Sequence, residues 1–298
     1  MNKKSTTTPV RLKPECIGCI VEKHLSKHPE NITPQEKTDY MQHVLKIVSE
    51  ATTDMSAPVI VGQIYDLQKE MFGIEYDYTD IKKYFNAQML ERYVDFYNKI
   101  QNADDKLKLA IQYAMIGNYI DFGAMKEVEE EKLNELLEQA KEIKISQQEY
   151  ENLRNEILTK KTMVYLTDNC GEIVMDKLLI QQIKNKYPNL ELTVMVRGEE
   201  VINDATMEDA IQVGICDIAT VIPNGSDIAG TWLEELGEEA KAVLEEADVI
   251  ISKGQGNFET LRKCGMNIYY IFLCKCDLFA NTFQVPKLTG MLINEKYC

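Results

Sequence analysis

Polar side chains that could bind a metal ion follow two predicted strands in the second half of the chain. The first strand runs into "TDNCGE", which supplies Asp168 and Asn169, and the second precedes a segment that carries Arg197 and Asp204. Buried polar groups at the end of a strand cost free energy unless something pairs with them. Carboxylate and amide oxygens are the hard ligands that Mg²⁺ and Mn²⁺ prefer. These residues therefore indicate a divalent metal site.

A predicted anion-binding segment, "SKGQGN", follows the fourth predicted strand. It contains Lys253, Gly254, Gly256 and Asn257. Backbone N–H groups ahead of a predicted helix can bind an anion, and the lysine adds a fixed positive charge. A metal site and an anion site at one edge of a sheet are typical of phosphoryl chemistry. Structural roles stay open for single residues, because Asp168 or Asp204 could cap a helix and Lys253 could be a surface charge.

The elements that would position these residues are alternating strands and helices. The predicted strands are "TMVYLTD", "LELTVMVRG", "IATVIPNG", "ADVIISKG" and "IYYIFLCK". Helical segments separate the first four, and the last of these segments is predicted over residues 231–247. Short apolar strands separated by helices predict a parallel sheet covered on both faces. Such sheets bind ligands beyond the carboxyl ends of their strands, where the polar residues lie.

The first half of the chain is predicted to be helical. "KLKLAIQYAMIG" is too apolar for an exposed helix, and Gly117 suits its C-terminal end. "SQQEYENLRNEIL" begins with a capping-box pattern of Ser146 and Glu149. We therefore expect a helical N-terminal subdomain over residues 1–158 and an α/β core over residues 159–298.

The composition limits the partners and the location of the protein. Its 298 residues include 33 basic and 48 acidic side chains, and the net charge of −15 disfavours nucleic acid and anionic membranes. A small anionic substrate remains compatible where a metal or lysines reverse the local field. No segment reaches the roughly 18 to 20 apolar residues of a membrane span. The start, "MNKKSTTTPVRLKP", lacks the apolar core of a signal peptide, so a cytoplasmic protein is predicted.

Four segments together resemble the motifs of the damage-control phosphatases, a family long known only as a domain of unknown function. They are "GNYIDFG", "TDNCGEIVMD", "VRGEEVINDATMEDA" and "SKGQGNFETL", in the family's order. The likeness extends from "CIGC" near the N-terminus to "CKC" near the end, and it is closest to the small prokaryotic branch. It implies a metal-dependent phosphatase with a helical N-terminal part and a three-layer α/β/α core.

The resemblance also implies roles for individual residues. The metal ligands would be Asp168, Asn169 and Asp204, and Lys253 would contact the substrate phosphate. Further substrate-binding residues would be Asn118, Asp121, Arg197, Gly254, Gly256 and Asn257. The cofactor would be a divalent ion such as Mn²⁺, Mg²⁺, Co²⁺ or Ni²⁺. Eukaryotic relatives act on sugar phosphates and on phosphopantetheine-type compounds, so a small phosphorylated metabolite is the expected substrate.

The expected reaction is hydrolysis of a phosphate ester by metal-activated water. The cation would neutralise phosphate oxygens and lower the pKa of a water that attacks phosphorus in line. Lys253 and the loop amides would stabilise charge on the equatorial oxygens. Direct attack by Asp168 is the alternative. Phosphatases with an aspartyl nucleophile usually carry D-x-D on the first strand, and Cys170 stands in the third position here, so water is preferred.

The cysteines suggest a second, less specific metal site. They are Cys16, Cys19, Cys170, Cys216, Cys264, Cys274, Cys276 and Cys298. Without an export signal, reduced thiols or metal ligands are better expected than disulfides. A soft-metal site could consist of Cys16, Cys19, Cys274 and Cys276. A local site joining the first pair to His24 and His28 is disfavoured by its spacing, and ordinary buried thiols are the favoured interpretation.

Two other functions fit parts of the sequence. A methyltransferase that uses S-adenosylmethionine could share the α/β core, but it would need a glycine-rich turn where this chain has "TDNCGE". A non-enzymatic metal- or redox-sensing protein could be built around the cysteine pairs. The four motifs in order favour the phosphatase over both alternatives.

Overall fold

The computed structural model describes residues 11–29, 31–74, 77–121 and 128–297. Contacts divide the chain into two compact units, residues 1–76 and residues 77–298. The predicted boundary between residues 158 and 159 falls instead where helices give way to strands, and it stays a prediction about domains. In the described residues, no helix is both long enough and apolar enough to cross a membrane.

The first unit is helical. Its helices are α1 Pro14–Ser26, α2 Pro34–Glu50 and α3 Ala57–Phe72. Each begins with a proline in its first turn, a position where the missing N–H costs nothing. Thr33 and Glu36 form a capping box at the start of α2. The core of this unit includes Tyr40 and Ile60, and His24 is buried beside it.

The second unit combines helices with one sheet. Its helices are α4 Thr79–Glu91, α5 Tyr93–Gln101, α6 Lys106–Gly117, α7 Glu130–Glu138, α8 Gln147–Thr159, α9 Glu172–Lys186, α10 Met207–Val213, α11 Glu238–Glu245, α12 Gln255–Leu261 and α13 Asp277–Phe283, with 3-10 turns at Ala140–Glu142 and Glu295–Tyr297. The strands are β1 Thr162–Leu166, β2 Glu191–Val196, β3 Thr220–Pro223, β4 Val249–Lys253, β5 Ile268–Leu273 and β6 Gly290–Asn294.

The strand order explains where a ligand can bind. The order across the sheet is β3-β2-β1-β4-β5-β6, and every neighbouring pair is parallel except β5 with β6. The chain moves outward from β1 to β3 and then returns to place β4 on the other side of β1. This reversal opens a crevice at the carboxyl ends of β1 and β4. The residues after β1 and β4 therefore meet at one place.

Alternate side chains of each strand pack on opposite faces of the sheet. Met163 and Tyr165 of β1 belong to a core shared with α6 and α9. Val164 and Leu166 belong to a core shared with α11, α12 and α13. Helices thus cover both faces, and the predicted α/β fold, a three-layer α/β/α core with a mostly parallel sheet beside N-terminal helices, is confirmed.

Three local features differ from the sequence predictions. The helix predicted over residues 231–247 begins only at Glu238, because Gly237 turns inward and donates its N–H to the Asn224 carbonyl. Gly117 is the last residue of α6 rather than a left-handed stop. It lies against α9, where an added Cβ would be 3.1 Å from the Glu172 Cα. The antiparallel β6 was not predicted.

Candidate active site

The loops after β1 and β2 are joined by backbone hydrogen bonds, which bring the predicted metal ligands together. The Ala205 N–H donates to the Asp168 carbonyl at 2.7 Å, and the Cys170 N–H donates to the Asn203 carbonyl at 2.8 Å. Asn169 and Asp204 face each other in an isolated antiparallel bridge. This pairing places two separate parts of the chain, 35 residues apart, at one end of the sheet.

Asp168 is buried at the centre of the site. Its Oδ2 accepts hydrogen bonds from Asn169 Nδ2 at 2.6 Å and from Asn118 Nδ2 at 2.9 Å. Its Oδ1 lies 3.6 Å from Arg197 Nη2. Gly254 lies directly against the carboxylate, since an added Cβ would be 1.9 Å from Oδ2. The structure thus brings residues from α6, β1, β2 and β4 to one carboxyl group.

Arg197 is 2% exposed and links the two predicted acidic ligands. Its Nε donates to Asp204 Oδ2 at 2.6 Å, while Nη1 lies 3.3 Å from Asn257 Oδ1. Its Nη2 is buried and has no hydrogen-bond partner among the residues that the structure describes. A guanidinium with an unsatisfied donor beside Asp168 is suited to bind an anionic oxygen.

Lys253, the last residue of β4, extends its side chain toward α6 and α9. Its Nζ donates to Ala114 O at 3.0 Å, to Glu172 Oε1 at 2.5 Å and to Asp176 Oδ1 at 2.7 Å. All three ammonium protons are therefore used within the protein. Contact with a phosphate would require the lysine to give up one of these partners.

Lys275 is a third buried cation of the site, and the sequence did not predict it. It follows β5, and its Nζ donates to Asp121 Oδ2 at 2.5 Å. Burial raises the pKa of the Asp168 carboxyl, and the Lys275 charge opposes this rise, so Lys275 lies within electrostatic range of the site centre. Lys275 is the last residue of the predicted strand "IYYIFLCK", so the rule that ligands bind beyond strand ends could have located it. The cysteines on either side of it indicated a soft-metal site instead.

The carboxyl groups of the site repel one another. Burial raises the pKa of the Asp168 carboxyl well above its ordinary value, and the charges of Asp204 and Glu172 raise it further. Burial also raises the pKa of the Asp204 carboxyl to about 6, although the Arg197 guanidinium opposes this rise. Ionised acids in this cluster therefore lack sufficient positive charge nearby.

A charge count leads to the same conclusion. Among the described residues, the buried acids of this cluster are Asp121, Asp168, Glu172, Asp176 and Asp204, and the cations paired with them are Arg197, Lys253 and Lys275. With all of these described residues ionised, two negative charges are in excess, which is the charge of one divalent ion. Across the described ranges, no group of three or more histidine, cysteine, aspartate and glutamate side chains could hold a metal. The predicted set contains two carboxylates and an amide, and its hard oxygen donors and excess charge fit a divalent cation.

The predicted anion-binding segment is packed against the loops of the site. The Gly254 N–H donates to the Ile271 carbonyl at 3.1 Å. Asn257 Nδ2 donates to the carbonyls of Thr167 and Lys253 at 3.0 and 2.7 Å. A Cβ on Gly256 would lie 2.3 Å from the Ala229 carbonyl oxygen. Gly254, Gly256 and Asn257 thus hold β4 and α12 close to Asp168.

Two predicted contributions from the helical half also reach the site. Asn118 is fully buried, and its Oδ1 accepts a hydrogen bond from the Leu273 N–H at 3.1 Å. Asp121 is paired with Lys275. The end of the "GNYIDFG" motif, at residues 122 and 123, lies outside the described residues.

The acidic residue Asp209 has a structural role. Its carboxylate accepts the Thr206 N–H at 2.8 Å in a capping box at the start of α10, and it forms an ion pair with Lys82 at 2.9 Å. Asn86 Nδ2 also donates to it at 2.7 Å. These contacts tie α4 to the loop that carries Asp204.

The cysteines are free thiols where they are described. Cys170 is buried beside the site, and burial raises the pKa of its thiol, which disfavours a nucleophilic role. Burial raises the pKa of Cys274 to about 11. Cys16 and Cys19 belong to the first unit and Cys274 and Cys276 to the second, and their shared soft-metal site stays a prediction.

The fold and the site together define an α/β protein with buried acids, amides and cations at the switch point of its sheet. The chain matches the family model of the Damage-control phosphatase ARMT1-like domain over residues 12–289. It therefore belongs to that family, which confirms the resemblance seen in its motifs. Membership favours the phosphatase prediction over the methyltransferase and sensing alternatives.

Individual relatives span nearly the same length. An uncharacterised protein of Methanocaldococcus jannaschii is 32% identical, with 96% of each chain covered. A protein of Archaeoglobus fulgidus named damage-control phosphatase is 31% identical over 93% of this chain and 96% of its own. The crystal structure of a DUF89 family protein from Pyrococcus horikoshii superposes with a TM-score of 0.76 and 25% identity, covering 95% of this chain and 99% of that chain.

Proposed function

We propose that this protein is a metal-dependent phosphatase that hydrolyses small phosphorylated metabolites, such as sugar phosphates or damaged and cofactor-derived phosphates. The observation that carries the proposal is the buried cluster around Asp168, in which acids exceed paired cations by two charges. Family membership supports the reaction class. The excess charge supports the need for a divalent cation.

Asp168, Asn169 and Asp204 would hold the divalent ion. Titration with Mn²⁺, Mg²⁺, Co²⁺ and Ni²⁺ identifies which of these ions binds most tightly. When bound, such an ion supplies positive charge for phosphate oxygens and lowers the pKa of a water ligand. The protein's own contribution is to hold these three side chains in place before the substrate arrives. Buried hydrogen bonds from Asn118 to Asp168 and from Arg197 to Asp204 serve this purpose.

Arg197 and Lys275 are the proposed contacts for the phosphate group. Arg197 has a buried Nη2 without a hydrogen-bond partner beside Asp168. Lys275 lies at the end of β5, next to the strand that carries Gly254. We assign the phosphate contact to these two residues rather than to Lys253, because the ammonium of Lys253 already donates to three acceptors. Lys253 then acts by holding Glu172 and Asp176.

Water is the preferred nucleophile, and Asp168 is the alternative. The carboxylate has one oxygen occupied by two amide donors, so only Oδ1 is oriented toward Arg197. The stereochemistry at phosphorus distinguishes the routes, measured with a thiophosphate ester made chiral with oxygen isotopes. One in-line attack by water inverts the configuration, whereas attack by Asp168 followed by hydrolysis of the aspartyl phosphate inverts it twice and gives net retention.

The test of the proposal is loss of metal-dependent phosphate release. Asp168→Ala or Asp204→Ala should lower kcat/KM by about a hundredfold or more, because each removes a ligand from the site. The exposed Asp104→Ala is the matched control and should retain wild-type turnover. Release is measured over sugar phosphates, nucleotides and cofactor fragments with each of the four metals. Near-normal turnover of either ligand variant at saturating Mn²⁺ would show that the metal assignment is wrong.

A further inference from the structure

Glu172, the first residue of α9, is fully buried and contacts Asn118 and Asn169 of the site. Its Oε2 accepts hydrogen bonds from Asn118 Nδ2 at 2.9 Å and from Asn169 Nδ2 at 3.1 Å. The backbone N–H of Asn169 points at the same oxygen over 3.4 Å. The residue is not among the predicted ligands, yet it contacts two residues that surround Asp168.

The chemistry of Glu172 determines which end of each amide it can face. An ionised carboxylate only accepts hydrogen bonds, so a neighbouring amide must present its NH₂ group. If the Asn169 amide were turned over, its carbonyl oxygen would lie about where Nδ2 now is, 2.6 Å from Asp168 Oδ2 and 3.1 Å from Glu172 Oε2. Three oxygens would then meet without a proton between them. The carbonyl oxygen of Asn169 must therefore point away from both carboxylates.

Two further features hold Glu172 in this position. Lys253 donates to its other oxygen, Oε1, so that both oxygens of the carboxylate are engaged. Gly117 allows α6 to approach α9, because an added Cβ would be 3.1 Å from the Glu172 Cα and 3.3 Å from its Cγ. This close approach is what places Asn118, the residue after Gly117, within reach of Oε2.

We infer that Glu172 is a positioning residue that holds the NH₂ end of Asn169 against itself and so leaves the carbonyl oxygen as the end that would bind the metal. The inference rests on the proposed function, in which Asn169 is a metal ligand. Glu172 itself contacts neither metal nor substrate. It acts through the amides, by making the NH₂ end of Asn169 and of Asn118 the only end that fits against it.

The first test is Mn²⁺ affinity of metal-free protein, measured by isothermal titration calorimetry rather than by activity. Glu172→Gln should weaken Mn²⁺ binding at least tenfold, because the glutamine can turn its own NH₂ group toward Asn169 and so leaves Asp168 alone to hold the amide in the required orientation. Asn169→Asp alone should also bind Mn²⁺ at least tenfold more weakly than wild type, since it adds a carboxylate directly against Asp168 and Glu172. Circular dichroism checks that each metal-free variant is folded.

The decisive test exchanges donor and acceptor between the two positions. The double variant Glu172→Gln/Asn169→Asp keeps the total charge. Its glutamine can donate to the new aspartate, whose two oxygens are equivalent, so Asp168 still repels that aspartate but residue 172 no longer does. It should bind Mn²⁺ at least tenfold more tightly than Asn169→Asp. A merely structural role for Glu172 predicts the opposite, that the two losses accumulate. If Glu172→Gln does not fold, comparison of the double variant with Asn169→Asp still decides the question.

The outcomes separate this inference from the proposed function. Wild-type protein that binds Mn²⁺, together with Glu172→Gln that binds it equally well, would overturn the inference and leave the function intact. Wild-type binding with no recovery in the double variant would likewise overturn it. Absence of Mn²⁺ binding to wild-type protein would overturn the metal proposal, and this inference with it.

Discussion

The buried carboxylate of Asp168 costs stability, although the proposed function requires it. Burial raises the pKa of its carboxyl well above the ordinary value, so the ionised form that a metal needs is costly in the metal-free protein. The protein limits this cost with two amide donors on Oδ2 and with Arg197 near Oδ1. A buried charge that is only partly compensated is typical of binding sites, where the ligand supplies the missing interaction.

Gly254 tests whether the position of Asp168 matters apart from its chemistry. A Cβ at residue 254 would lie 1.9 Å from Asp168 Oδ2, and the φ angle of 81° adds backbone strain. Gly254→Ala should therefore displace the carboxylate and lower Mn²⁺-dependent kcat/KM by about tenfold to a hundredfold, a loss of the size that misplaced catalytic groups cause. Phosphate release and Mn²⁺ affinity are the measurements.

Gly265 provides the matched control for that variant. Its φ angle is 87°, and nothing lies within 4 Å of the position that a Cβ would take. Gly265→Ala should lose about 1 to 2 kcal/mol of the free energy of unfolding through the same kind of backbone strain at positive φ, while keeping its activity. Equal losses of activity in the two variants would show that global destabilisation, and not the displacement of Asp168, is responsible.

At the scale of elements, the alternation of apolar strands with helices was enough to predict the parallel sheet. The strands β1 to β5 lie where the apolar segments predicted them, and the rule of strand ends located Asp168, Asn169 and Asp204 near one another. The antiparallel β6 could not be predicted in this way, because strands that alternate with helices are expected to pair in parallel. Its pairing depends on β5, which it follows across α13.

The alternation of side chains along β4 predicts the face of the sheet on which the Lys253 side chain lies. Side chains two residues apart on a strand share a face. Ile251 packs in the core shared with α6 and α9, so Lys253 must reach the same side, where Glu172 and Asp176 lie. The contact of Asn118 with Asp168, in contrast, joins residues 50 positions apart. No local pattern carries that information, and only the family resemblance indicated it.

Helix α1 contains a titratable group that should make stability depend on pH. His24 is buried, and its Nδ1 lies 2.8 Å from the Tyr40 hydroxyl oxygen, while Nε2 has no hydrogen-bond partner. Burial, with smaller effects from Lys23 and Lys27, lowers the pKa of His24 from 6.5 to about 4. The unfolded chain therefore binds a proton between about pH 6.5 and 4 that the folded chain does not. The stabilising contribution is present above pH 6.5 and is lost as pH falls toward 4.

Comparison with His24→Gln separates the contribution of His24 from that of the other titrating groups. The free energy of unfolding of wild type should fall by about 3 kcal/mol more than that of His24→Gln between pH 7 and pH 4. Urea unfolding at several pH values measures the difference. His43, an exposed residue of α2, supplies the control, and His43→Gln should follow the wild-type curve. Parallel curves for wild type and His24→Gln would contradict the assignment.

At the scale of the whole molecule, the net charge of −15 opposes the approach of an anionic substrate. When ionised, the described acids of the site exceed their cations by two charges, so the site would add to this repulsion until the proposed divalent ion is bound. Salt screens charges at distances beyond roughly 10 Å at 0.1 M but leaves buried contacts largely unchanged. Moderate salt should therefore help the substrate to bind rather than weaken its contacts.

We expect KM for a dianionic phosphate ester to fall about two- to threefold between roughly 10 and 150 mM NaCl at saturating Mn²⁺, with kcat unchanged. The usual steering of a substrate by opposite charge would give the reverse sign. Sucrose at equal osmolality should have no effect. Glu245→Gln/Glu246→Gln, which neutralises two exposed acids in and just after the last turn of α11, should lower KM at low salt and reduce the salt dependence. A KM that rises with salt in both proteins would mean that the local field of Arg197 and Lys275 outweighs the charge of the whole chain.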